Sequence, residues 1–487
     1  MAVPFVTVSE MRAWEDASWA AGATPHSVIA EVGRQLAALV RSLRPPGSRI
    51  LLLPGRGNNG ADAQAAEPHL AGYQVERLEL LEPERQLTAL TNALDRRPDL
   101  VVDGWFGIGL NRSLSPDWIA LIRRLNEASC FVVSVDVPSG LNADTGENWG
   151  AAVRADITLT IGAPKLGLIR PPAIDVVGRL ELASSVGLVG QPVGSNDLRW
   201  VGPDDFGIKT RRPLNTHKGT FGHAVILAGS MGYSGAAVLA ARAAGRTRPG
   251  LVSVLTTPEA WLPVASQLVT AMVHPFSIRH PALANATAIL AGPGLAASNL
   301  LPEMRQEVVR LWREFPGVMV ADASALDWLR PGTPCVGPRV ITPHPGEAGR
   351  LLGITAAEIQ ADRLGSLRRL GARHEATVIL KGHQTLIGSS KGPVYLNPVG
   401  NPGLAQGGTG DVLAGYLTGL LAQPDGRRDL LATCLRAAWD HGRTADLLET
   451  EDQGWTAEDL VHQLGSGASG RWTRHWHSRD SSVDFQS

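Results

Sequence analysis

Short apolar runs alternate with stretches of helical periodicity from one end of the chain to the other. Many runs are almost continuously apolar, which is typical of strands that helices cover on both faces. Each is followed by Gly, Pro or a polar turn, so that reactive side chains follow strand C-termini, where open α/β sheets bind ligands. The pattern predicts an α/β protein with two three-layer domains, each built on a parallel sheet. The predicted strands are residues 49–53, 100–103, 131–137 and 156–161 in the first half, and 223–229, 251–256, 288–292, 318–322, 339–342 and 377–381 in the second.

A chain of 487 residues is too long for one ordinary hydrophobic core, so two domains are expected. The junction is best placed in the turn-rich, weakly periodic stretch between Gly194 and Thr220. This predicts a first domain over residues 1–200, a linker over 201–219 and a second domain over 220–464. The remaining residues, 465–487, combine Gly and Ser with scattered Trp and His, and are expected to form a disordered tail.

Composition limits the classes of partner. The formal net charge is -1, so no overall field attracts nucleic acid or an anionic membrane surface. No apolar run is long enough to span a membrane, and the first residues lack the charged and apolar regions of a signal peptide. Cys130, Cys335 and Cys434 have neither paired nor metal-ligand spacing, which argues for a reducing, cytoplasmic setting. Nucleic acid and membranes are therefore not the expected partners.

The most informative stretch is residues 401–411 (Asn-Pro-Gly-Leu-Ala-Gln-Gly-Gly-Thr-Gly-Asp). Gly407, Gly408 and Gly410 let the backbone approach a phosphate, and the helix-like run that follows places this loop at a helix N-terminus, where anions are favoured. Asp411 stands at the mouth of the anion site. A carboxylate there is a poor phosphate ligand but a good base for a hydroxyl that attacks a phosphoryl group. The alternative is that Asp411 only caps the helix.

Four further segments in the second half of the chain each follow a predicted strand. Their residues suit chemistry related to that of the Asp411 loop. His344 is held between two prolines, although it would serve equally well only to bond its turn, and Glu347 is most simply a capping residue. Lys381 places an ammonium at a strand end, where it either meets a nucleotide phosphate or faces solvent. The segments are residues 228–236 (Ala-Gly-Ser-Met-Gly-Tyr-Ser-Gly-Ala), 292–294 (Gly-Pro-Gly), 342–347 (Thr-Pro-His-Pro-Gly-Glu) and 381–385 (Lys-Gly-His-Gln-Thr).

In this order, the five segments resemble those of the ADP/ATP-dependent NAD(P)H-hydrate dehydratases, a branch of the ribokinase-like superfamily, over about residues 215–464. The resemblance implies a ribokinase-like sheet that dehydrates the S epimers of hydrated NADH and NADPH (NADHX and NADPHX), with ADP converted to AMP and phosphate and with Mg²⁺ accompanying ADP. Phosphorylation would make the C6 hydroxyl a leaving group that the ring nitrogen expels, with Asp411 taking the hydroxyl proton. One departure is Ser324, which replaces a carboxylate of the family pattern. The implied substrate-binding residues are Ala236, Gly294, His344 and Asp411, and the implied nucleotide-binding residues are Lys381, Gly382, His383, Gln384, Thr385, Gly408, Thr409 and Gly410.

Three strand ends of the first half are also rich in Gly and polar residues. They are residues 53–62 (Leu-Pro-Gly-Arg-Gly-Asn-Asn-Gly-Ala-Asp), 103–113 (Asp-Gly-Trp-Phe-Gly-Ile-Gly-Leu-Asn-Arg-Ser) and 136–146 (Asp-Val-Pro-Ser-Gly-Leu-Asn-Ala-Asp-Thr-Gly). The first of them, taken alone, would also fit a structural turn with Asx motifs.

Together with residues 160–167 (Thr-Ile-Gly-Ala-Pro-Lys-Leu-Gly), these segments resemble the NAD(P)H-hydrate epimerases over roughly residues 1–200. The resemblance implies a Rossmann-like parallel sheet that interconverts the R and S epimers, with Asp136 as the candidate for the proton transfers and Lys165 as a second candidate. It implies that K⁺ is bound by Asn59, Asp103 and Ser139. The implied substrate-binding residues are Asn58, Asn59, Gly60, Ala61, Asp62, Gly107, Ile108, Gly109, Leu110, Asn111, Arg112, Ser113 and Asp136.

The first domain departs from its family at several positions. Ala61 occupies a glycine position and is tolerable there only at negative φ, Ile108 replaces a Thr, and residues 30–33 read Ala-Glu-Val-Gly where Glu-Asn-Ala-Gly is usual. A weakened or inactive epimerase therefore stays open. The combined prediction is a bifunctional enzyme that repairs hydrated nicotinamide nucleotides and forms a homo-oligomer. Its rivals are a dehydratase with a non-catalytic binding domain and a ribokinase-like kinase that releases a stable phosphorylated alcohol.

Overall fold

The computed structural model describes residues 2–79, 82–206, 212–449 and 454–465. It divides into two compact units, one over Ala2–Trp200 and the other from Val201 onward. Most of the predicted tail (466–487) and part of the predicted linker (207–211) lie outside the described residues. Among the described residues, no helix combines the length and the apolar character that crossing a bilayer requires.

The first unit contains a fully parallel sheet whose described strands run in the order β3-β2-β4-β5-β6-β7, and a short antiparallel pair formed by β1 and β8. The reversal of strand order around β2 and β4 creates the crevice in which doubly wound folds bind ligands. The strands are β1 (Val3–Pro4), β2 (Arg49–Pro54), β3 (Gln74–Arg77), β4 (Leu100–Gly104), β5 (Phe131–Val135), β6 (Ile157–Ile161), β7 (Arg179–Ala183) and β8 (Leu198–Trp200). The helices are α1 (Val8–Ala20), α2 (Pro25–Leu43), α3 (Asn58–Gln64), α4 (Pro83–Asp95), α5 (Pro116–Asn126) and α6 (Ile174–Val177).

Helices cover both faces of this sheet, as its continuously apolar strands require. Ile50 and Leu52 of β2 join one core with the apolar stripe of α2, whereas Leu51 and Leu53 point to a second core with α4 and α5. Thr24 begins α2 with a capping box that is followed by a proline in the first turn. A side chain at Gly33 would lie 2.3 Å from the carbonyl carbon of Ala65, so this glycine lets α2 pack closely on the end of α3.

The second unit contains a sheet whose described strands run in the order β17-β16-β15-β14-β13-β12-β9-β10-β11. The strands are β9 (His223–Leu227), β10 (Leu251–Thr256), β11 (Met272–Pro275), β12 (Ala288–Ala291), β13 (Val318–Ala321), β14 (Arg339–Ile341), β15 (Thr377–Leu380), β16 (Leu386–Gly388) and β17 (Val394–Leu396). The helices are α7 (Ser234–Arg246), α8 (Pro258–Ala265), α9 (Pro281–Ala284), α10 (Pro302–Glu314), α11 (Pro345–Leu352), α12 (Ala356–Ala361), α13 (Arg363–His374), α14 (Thr409–Leu421), α15 (Pro424–Arg428), α16 (Leu430–Glu449) and α17 (Ala457–Gln463).

The α/β fold class predicted from the sequence is confirmed, with one correction to the expectation of parallel sheets. Strands β9 to β15 are parallel, but β16 and β17 are antiparallel, because a tight turn after β15 returns the chain directly instead of through a crossover helix. Ala224 and Ile226 of β9 point into the core beneath α7 and α14, and Val225 and Leu227 are buried on the opposite face.

Helices α7 and α14 pack closely because both present small residues at their contact. A side chain at Gly415 would lie 2.1 Å from the carbonyl oxygen of Ala240, and one at Gly419 would lie 2.5 Å from that of Ala244. This approach fixes the N-terminus of α14 over the C-terminal edge of the sheet. That position determines where Asp411 stands.

Candidate active sites

The parallel strands of the second unit bring four of its five singled-out segments to one edge of the sheet. These four segments follow β9, β12, β14 and β15, and the turn that contains Asp322 follows β13, whereas residues 401–411 follow the antiparallel strand β17 and lead into α14. Two of the four segments are bonded to each other: Gly229 N–H donates to the Pro293 carbonyl over 2.9 Å, and Ser230 Oγ donates to the Gly294 carbonyl over 2.6 Å. The residues predicted to face the substrate, Ala236 and Gly294, therefore lie beside each other.

Gly294 is required both by its backbone and by its surroundings. Its φ is +64°, and a β-carbon there would lie 2.5 Å from the Tyr233 carbonyl oxygen and 2.9 Å from the Ala236 β-carbon. The side chain of Tyr233 is about half exposed at this turn, as is that of Met231. The backbone at Gly294 and these two exposed, largely apolar side chains together form a surface against which a flat ring can pack.

Lys381 is the centre of a group of charges at this edge. Its Nζ lies 2.9 Å from Asp322 Oδ1 and 3.8 Å from Glu347 Oε2. Burial works against the charged form, but the negative charges of Asp322, Glu347 and Asp411 together raise the pKa of Lys381 above its ordinary value. The ammonium is therefore held by carboxylates of the protein, instead of facing solvent.

Asp411 lies in the first turn of α14 and does not cap it. The N-cap residue is Gly408, with φ +95°, and no side chain bonds the first amides of the helix. Burial, followed by the negative charge of Asp322, raises the pKa of Asp411 to about 7, although the Lys381 ammonium opposes this. A carboxyl with a pKa near neutrality accepts a proton more readily than an ordinary aspartate, which suits a general base.

Gly410 is where the glycine-rich loop comes close to these charges. A β-carbon at Gly410 would lie 3.3 Å from Lys381 Nζ and 4.0 Å from Asp322 Oδ2. The glycine-rich backbone at the start of α14 therefore faces the Asp322–Lys381 pair directly. An anion that binds the free amides of this turn is placed beside the ammonium and Asp411.

Helix α16 holds the glycine-rich loop from behind, a role that the sequence interpretation missed. His441 Nε2–H donates to the Thr409 carbonyl over 3.0 Å, and burial lowers the pKa of His441 to about 4, so the ring is neutral at physiological pH. Asp446 accepts hydrogen bonds from Gly400 N–H and Asn401 Nδ2. The Thr-Gly-Asp turn is thus fixed by a helix that begins 19 residues further along the chain, at Leu430.

His344 and Glu347 form the capping box that the alternative interpretation expected, and they do more than cap. His344 is the N-cap of α11, where its Nδ1 accepts a hydrogen bond from Gly346 N–H and its backbone N–H donates to Glu347. About half of the His344 side chain remains exposed, whereas that of Glu347 is buried beside Lys381. The capping motif therefore also places the Glu347 carboxylate near Lys381. Capping of the helix does not by itself require this contact.

The turn that follows Lys381 is organised by Arg363 at the start of α13. The guanidinium donates to the carbonyls of Leu380 and Gln384 and lies against Gly382, whose φ is +132°. Gln384 itself has φ +56°, and its buried Nε2 has no hydrogen-bond partner among the described residues. His383 and Thr385 belong to the same turn, so the predicted nucleotide-binding residues 381–385 all lie in one turn between β15 and β16.

The first unit contains a cavity of about 540 Å³ at the crevice between β2 and β4. Most of the residues predicted to bind the epimerase substrate line this cavity, whereas Gly60, Ala61 and Ser113 do not. The lining residues from the predicted set are Asn58, Asn59, Asp62, Gly107, Ile108, Gly109, Leu110, Asn111, Arg112 and Asp136. Gly60 packs against the Gly55 backbone, and Ala61 lies within α3 without a positive φ, so its side chain is tolerated there.

Asp136 and Lys165 form a buried ion pair at the cavity wall. Asp136 has φ +65°, which is unusual for a residue other than glycine, and its Oδ1 accepts hydrogen bonds from Lys165 Nζ and from Ile161 N–H at 3.0 Å. Lys165 is fully buried and also donates to the Ile161 carbonyl over 2.8 Å. Lys165 therefore orients the Asp136 carboxylate.

Two further carboxyl groups face the same cavity. Asp62 of α3 is 7% exposed, and its carboxyl makes no hydrogen bond within the described residues. Burial, followed by the charge of Asp136, raises the pKa of Asp62 to about 8. Glu15 comes from α1, and burial raises its pKa as well. The sequence interpretation did not include α1 among the elements that line the cavity. The capping box of Thr7 and Glu10 predicts that a helix starts there, but not where that helix packs.

The residues predicted to bind K⁺ lie together beneath the cavity. Asp103 is fully buried and accepts hydrogen bonds from Ser139 Oγ (2.6 Å), Ser139 N–H (2.9 Å) and Ser134 Oγ (2.8 Å). Asn59 Nδ2 donates to the Phe106 carbonyl over 2.9 Å, and Ser139 Oγ lies 3.3 Å from the same carbonyl oxygen. Burial raises the pKa of Asp103, because none of these hydrogen-bond partners carries a positive charge.

This chain is similar to known proteins over nearly its whole length. Residues 224–465 match a family model described as NAD(P)H-hydrate dehydratase, and residues 81–167 match one described as YjeF-related protein N-terminus. The bifunctional NAD(P)H-hydrate repair enzyme Nnr of Coxiella burnetii is 31% identical over 485 residues, covering 93% of this chain and 97% of the relative. The protein of the same name from Escherichia coli is 33% identical, covering 93% and 91%.

Among solved structures, the ADP/ATP-dependent NAD(P)H-hydrate dehydratase of Bacillus subtilis, co-crystallized with ATP/Mg²⁺, superposes with a TM-score of 0.50. It is 29% identical, and the match covers 58% of this chain and 99% of that protein.

Proposed function

This chain belongs to the family of bifunctional NAD(P)H-hydrate repair enzymes, and on that premise we propose which residues of its two units carry the two activities. The unit from Val201 onward dehydrates the S epimer of hydrated NADH or NADPH at the expense of ADP. The unit over Ala2–Trp200 interconverts the R and S epimers, so that no hydrate is left behind. The observation that carries the first assignment is Asp411, a carboxyl with a pKa of about 7 beside the amides of a glycine-rich helix N-terminus.

In the proposed dehydration, the nicotinamide ring rests near Gly294, Ala236 and His344, and its C6 hydroxyl meets Asp411. Asp411 takes the hydroxyl proton while the oxygen attacks a nucleotide phosphoryl group, and the Gly408–Gly410 amides stabilise the charge of that group. The ring nitrogen then expels phosphate from C6. Lys381 keeps the adjoining carboxylates from repelling the phosphates, because its ammonium lies against Asp322 and Glu347.

The nucleotide is held by residues 381–385 and by Gly408, Thr409 and Gly410. The described residues contain no cluster of three metal-ligating side chains, which fits Mg²⁺ that arrives on the nucleotide and keeps most of its ligands from phosphate and water. Mg²⁺ would supply charge neutralisation for the phosphates, and Asp322 would be the carboxylate of this turn available to it, because Ser324 carries none.

In the proposed epimerisation, Asp136 carries the proton transfer and Lys165 orients it. A monovalent cation fits Asn59, Asp103 and Ser139, because the set offers only oxygen ligands and Asp103 is a buried carboxyl without a positive partner. We propose K⁺ there, where it supplies the positive charge that this carboxyl lacks. The negative φ of Ala61 supports an active site of normal shape in spite of the missing glycine.

The test is incubation of the full chain with chemically hydrated NADPH, with and without ADP or ATP, while both epimers are separated by chromatography. We expect ADP-dependent recovery of the dihydronicotinamide absorbance, release of inorganic phosphate and, in time, consumption of both epimers. Accumulation of a phosphorylated alcohol would instead identify a ribokinase-like kinase. Consumption of the S epimer alone, with the R epimer drawn down only at its uncatalysed rate, would leave the first unit as a binding module.

Asp411→Asn is the decisive variant, with Asp204→Asn as the matched control because Asp204 is an exposed carboxylate of the same unit. The first should lower the dehydration rate by about 10²–10⁴-fold while nucleotide still binds, and the second should change neither. Dehydration by the Asp411 variant at the normal rate would remove this carboxyl from the reaction.

We also propose that the chain forms a homo-oligomer in the cytoplasm. The support for self-association is an apolar surface at the β11 edge of the second sheet, where Trp261, Leu262, Val269 and Met272 are 40–98% exposed. The support for the compartment is three cysteines that form no disulfide. Sedimentation velocity of the wild type and of Leu262→Asp tests the oligomer, which should weaken in the variant.

A further inference from the structure

Besides Asp136, the cavity of the first unit is lined by a second carboxyl group, that of Asp62, to which the proposed reaction has so far given no role. Asp62 is more than nine-tenths buried and lines the cavity, yet no described residue donates a hydrogen bond to it. A carboxyl that lines a cavity and receives no hydrogen bond from the protein is less well solvated than one at the surface and is not compensated by a protein donor. Such a side chain costs stability unless a ligand meets it, so its position at this cavity points to a partner on the substrate.

Asp62 and Asp136 approach the cavity from two sides. Asp136 follows β5, whereas Asp62 lies in α3, which follows β2, and β4 runs between these two strands in the sheet. Strands two places apart are separated by roughly 10 Å. The cavity that both side chains line has a volume of about 540 Å³, which is enough for a small ring, and the 105–112 turn after β4 lines it as well.

We propose that Asp62 is the second catalytic residue of the epimerase, acting on the ring face opposite to Asp136. This inference rests on the proposed epimerase function of the first unit. The Asp136 carboxylate, held by Lys165, removes the proton from the C6 hydroxyl on one face. The C6–O bond becomes a carbonyl, the C6–N1 bond breaks, and its electron pair moves to N1 and the conjugated carboxamide.

Rotation about the C5–C6 bond then turns the aldehyde oxygen to the other face. N1 returns its electron pair to C6, and the oxygen takes the proton of Asp62 as it becomes a hydroxyl again. The epimer has changed, Asp136 has gained one proton and Asp62 has lost one, so that atoms and charge balance. The reverse conversion begins from this opposite protonation state.

The charges around the two groups support this division of roles. The same cavity is lined by Glu15 of α1 and by Lys165, which follows β6. Arg12 and Arg56 line it as well. Lys165 contacts Asp136 directly and holds its carboxylate in place. Asp62 has no such contact and lies near two other carboxylates, which favours its protonated form. One carboxylate and one carboxylic acid are the pair that a two-sided proton transfer requires.

The experiment compares wild type, Asp62→Asn and Asp117→Asn in the full chain without nucleotide, so that dehydration is idle and only epimer interconversion is measured. Asp117 is an exposed aspartate in the first turn of α5, which makes its variant a matched control. We expect Asp62→Asn to lower kcat about 100-fold or more while KM changes less than about 3-fold, and Asp117→Asn to change neither. Because no described group bonds the Asp62 carboxyl, the asparagine breaks no hydrogen bond, and the thermal transition of the variant should be no lower than that of the wild type.

The pH dependence separates proton donation from binding. In the direction in which Asp62 donates, the wild-type rate should fall as pH rises through about 8, and the residual rate of Asp62→Asn should lack this decline. A variant within about 5-fold of the wild-type kcat, or one in which only KM rises, overturns the role of Asp62 while leaving the epimerase function intact. A wild type that does not interconvert the epimers overturns both.

Discussion

Replacing Asp411 by Asn should slow dehydration strongly and at the same time stabilise the second unit, because burial and neighbouring negative charge in the folded state disfavour the ionised form of this carboxyl. The pKa of Asp411 is about 7 against an ordinary value of 3.8. At about 1.4 kcal/mol per pKa unit, keeping this group ionised costs the folded state up to about 4 kcal/mol. The asparagine has nearly the same shape and carries no charge, so it removes this cost.

The sign of the pH dependence follows from the raised pKa. Below about pH 4 the carboxyl is protonated in both the folded and the unfolded state, and it contributes nothing. Between 3.8 and about 7 only the unfolded state releases its proton, so the stability of the wild type falls as pH rises. Above that range both states are ionised and the full cost is present. The advantage of the Asp411→Asn variant should therefore grow by on the order of 2–3 kcal/mol between about pH 5 and about pH 8.

Equilibrium unfolding in urea at these two pH values measures the effect, with the transition of the second unit identified by its shift when ADP is added. Asp204→Asn serves as the control, since an exposed aspartate should show no comparable trend. An Asp411→Asn variant whose free energy of unfolding changes with pH as the wild type does would refute the reasoning. So would a variant that is less stable than the wild type near pH 8.

Three other outcomes are expected. Gly410→Ala keeps the fold, since φ there is not positive, but its methyl group 3.3 Å from Lys381 Nζ should lower the dehydration rate roughly 10–100-fold at an unchanged Tm. Ala61→Gly, inside α3, should lower the free energy of unfolding by about 0.5–1 kcal/mol without raising the epimerisation rate; a faster variant would show that the missing glycine limits the site. Exchange of K⁺ for choline should slow epimerisation roughly 10-fold, and Asp103→Asn should be insensitive to that exchange, whereas an equal response would place the cation elsewhere.

Much of the fold could be predicted from the sequence because the central strands are buried on both faces. Strands such as β4, β10 and β13 read as continuous apolar runs, and their predicted ends lie within two residues of those observed. The strands absent from the prediction are edge or antiparallel strands. β3 and β11 are largely exposed, and β16 and β17 have only three residues each, so none has a pattern that separates it from a loop.

The residues proposed for the two sites could also be recognised in short segments, since a glycine-rich turn, a strand end and a carboxylate are local features. The residues that they contact in the fold could not be recognised in this way. Lys381 was predicted to meet a nucleotide phosphate or solvent, and the structure pairs it with Asp322, 59 residues away in the chain. Lys165 lies 29 residues from the Asp136 that it orients.

By itself, the sequence determined the central strands, the glycine-rich turn before Asp411 and the polar residues that follow the strand ends, because these depend on neighbouring residues and on backbone geometry. Tertiary structure alone decided which carboxyl groups share a cavity, and therefore how burial and neighbouring charges shift their pKa values. It raised the pKa of Asp411 and Asp62 toward neutrality through burial and through charges brought in from distant strands. A pKa depends on the distance in space to other charges and to water, and neither distance is encoded in the local sequence.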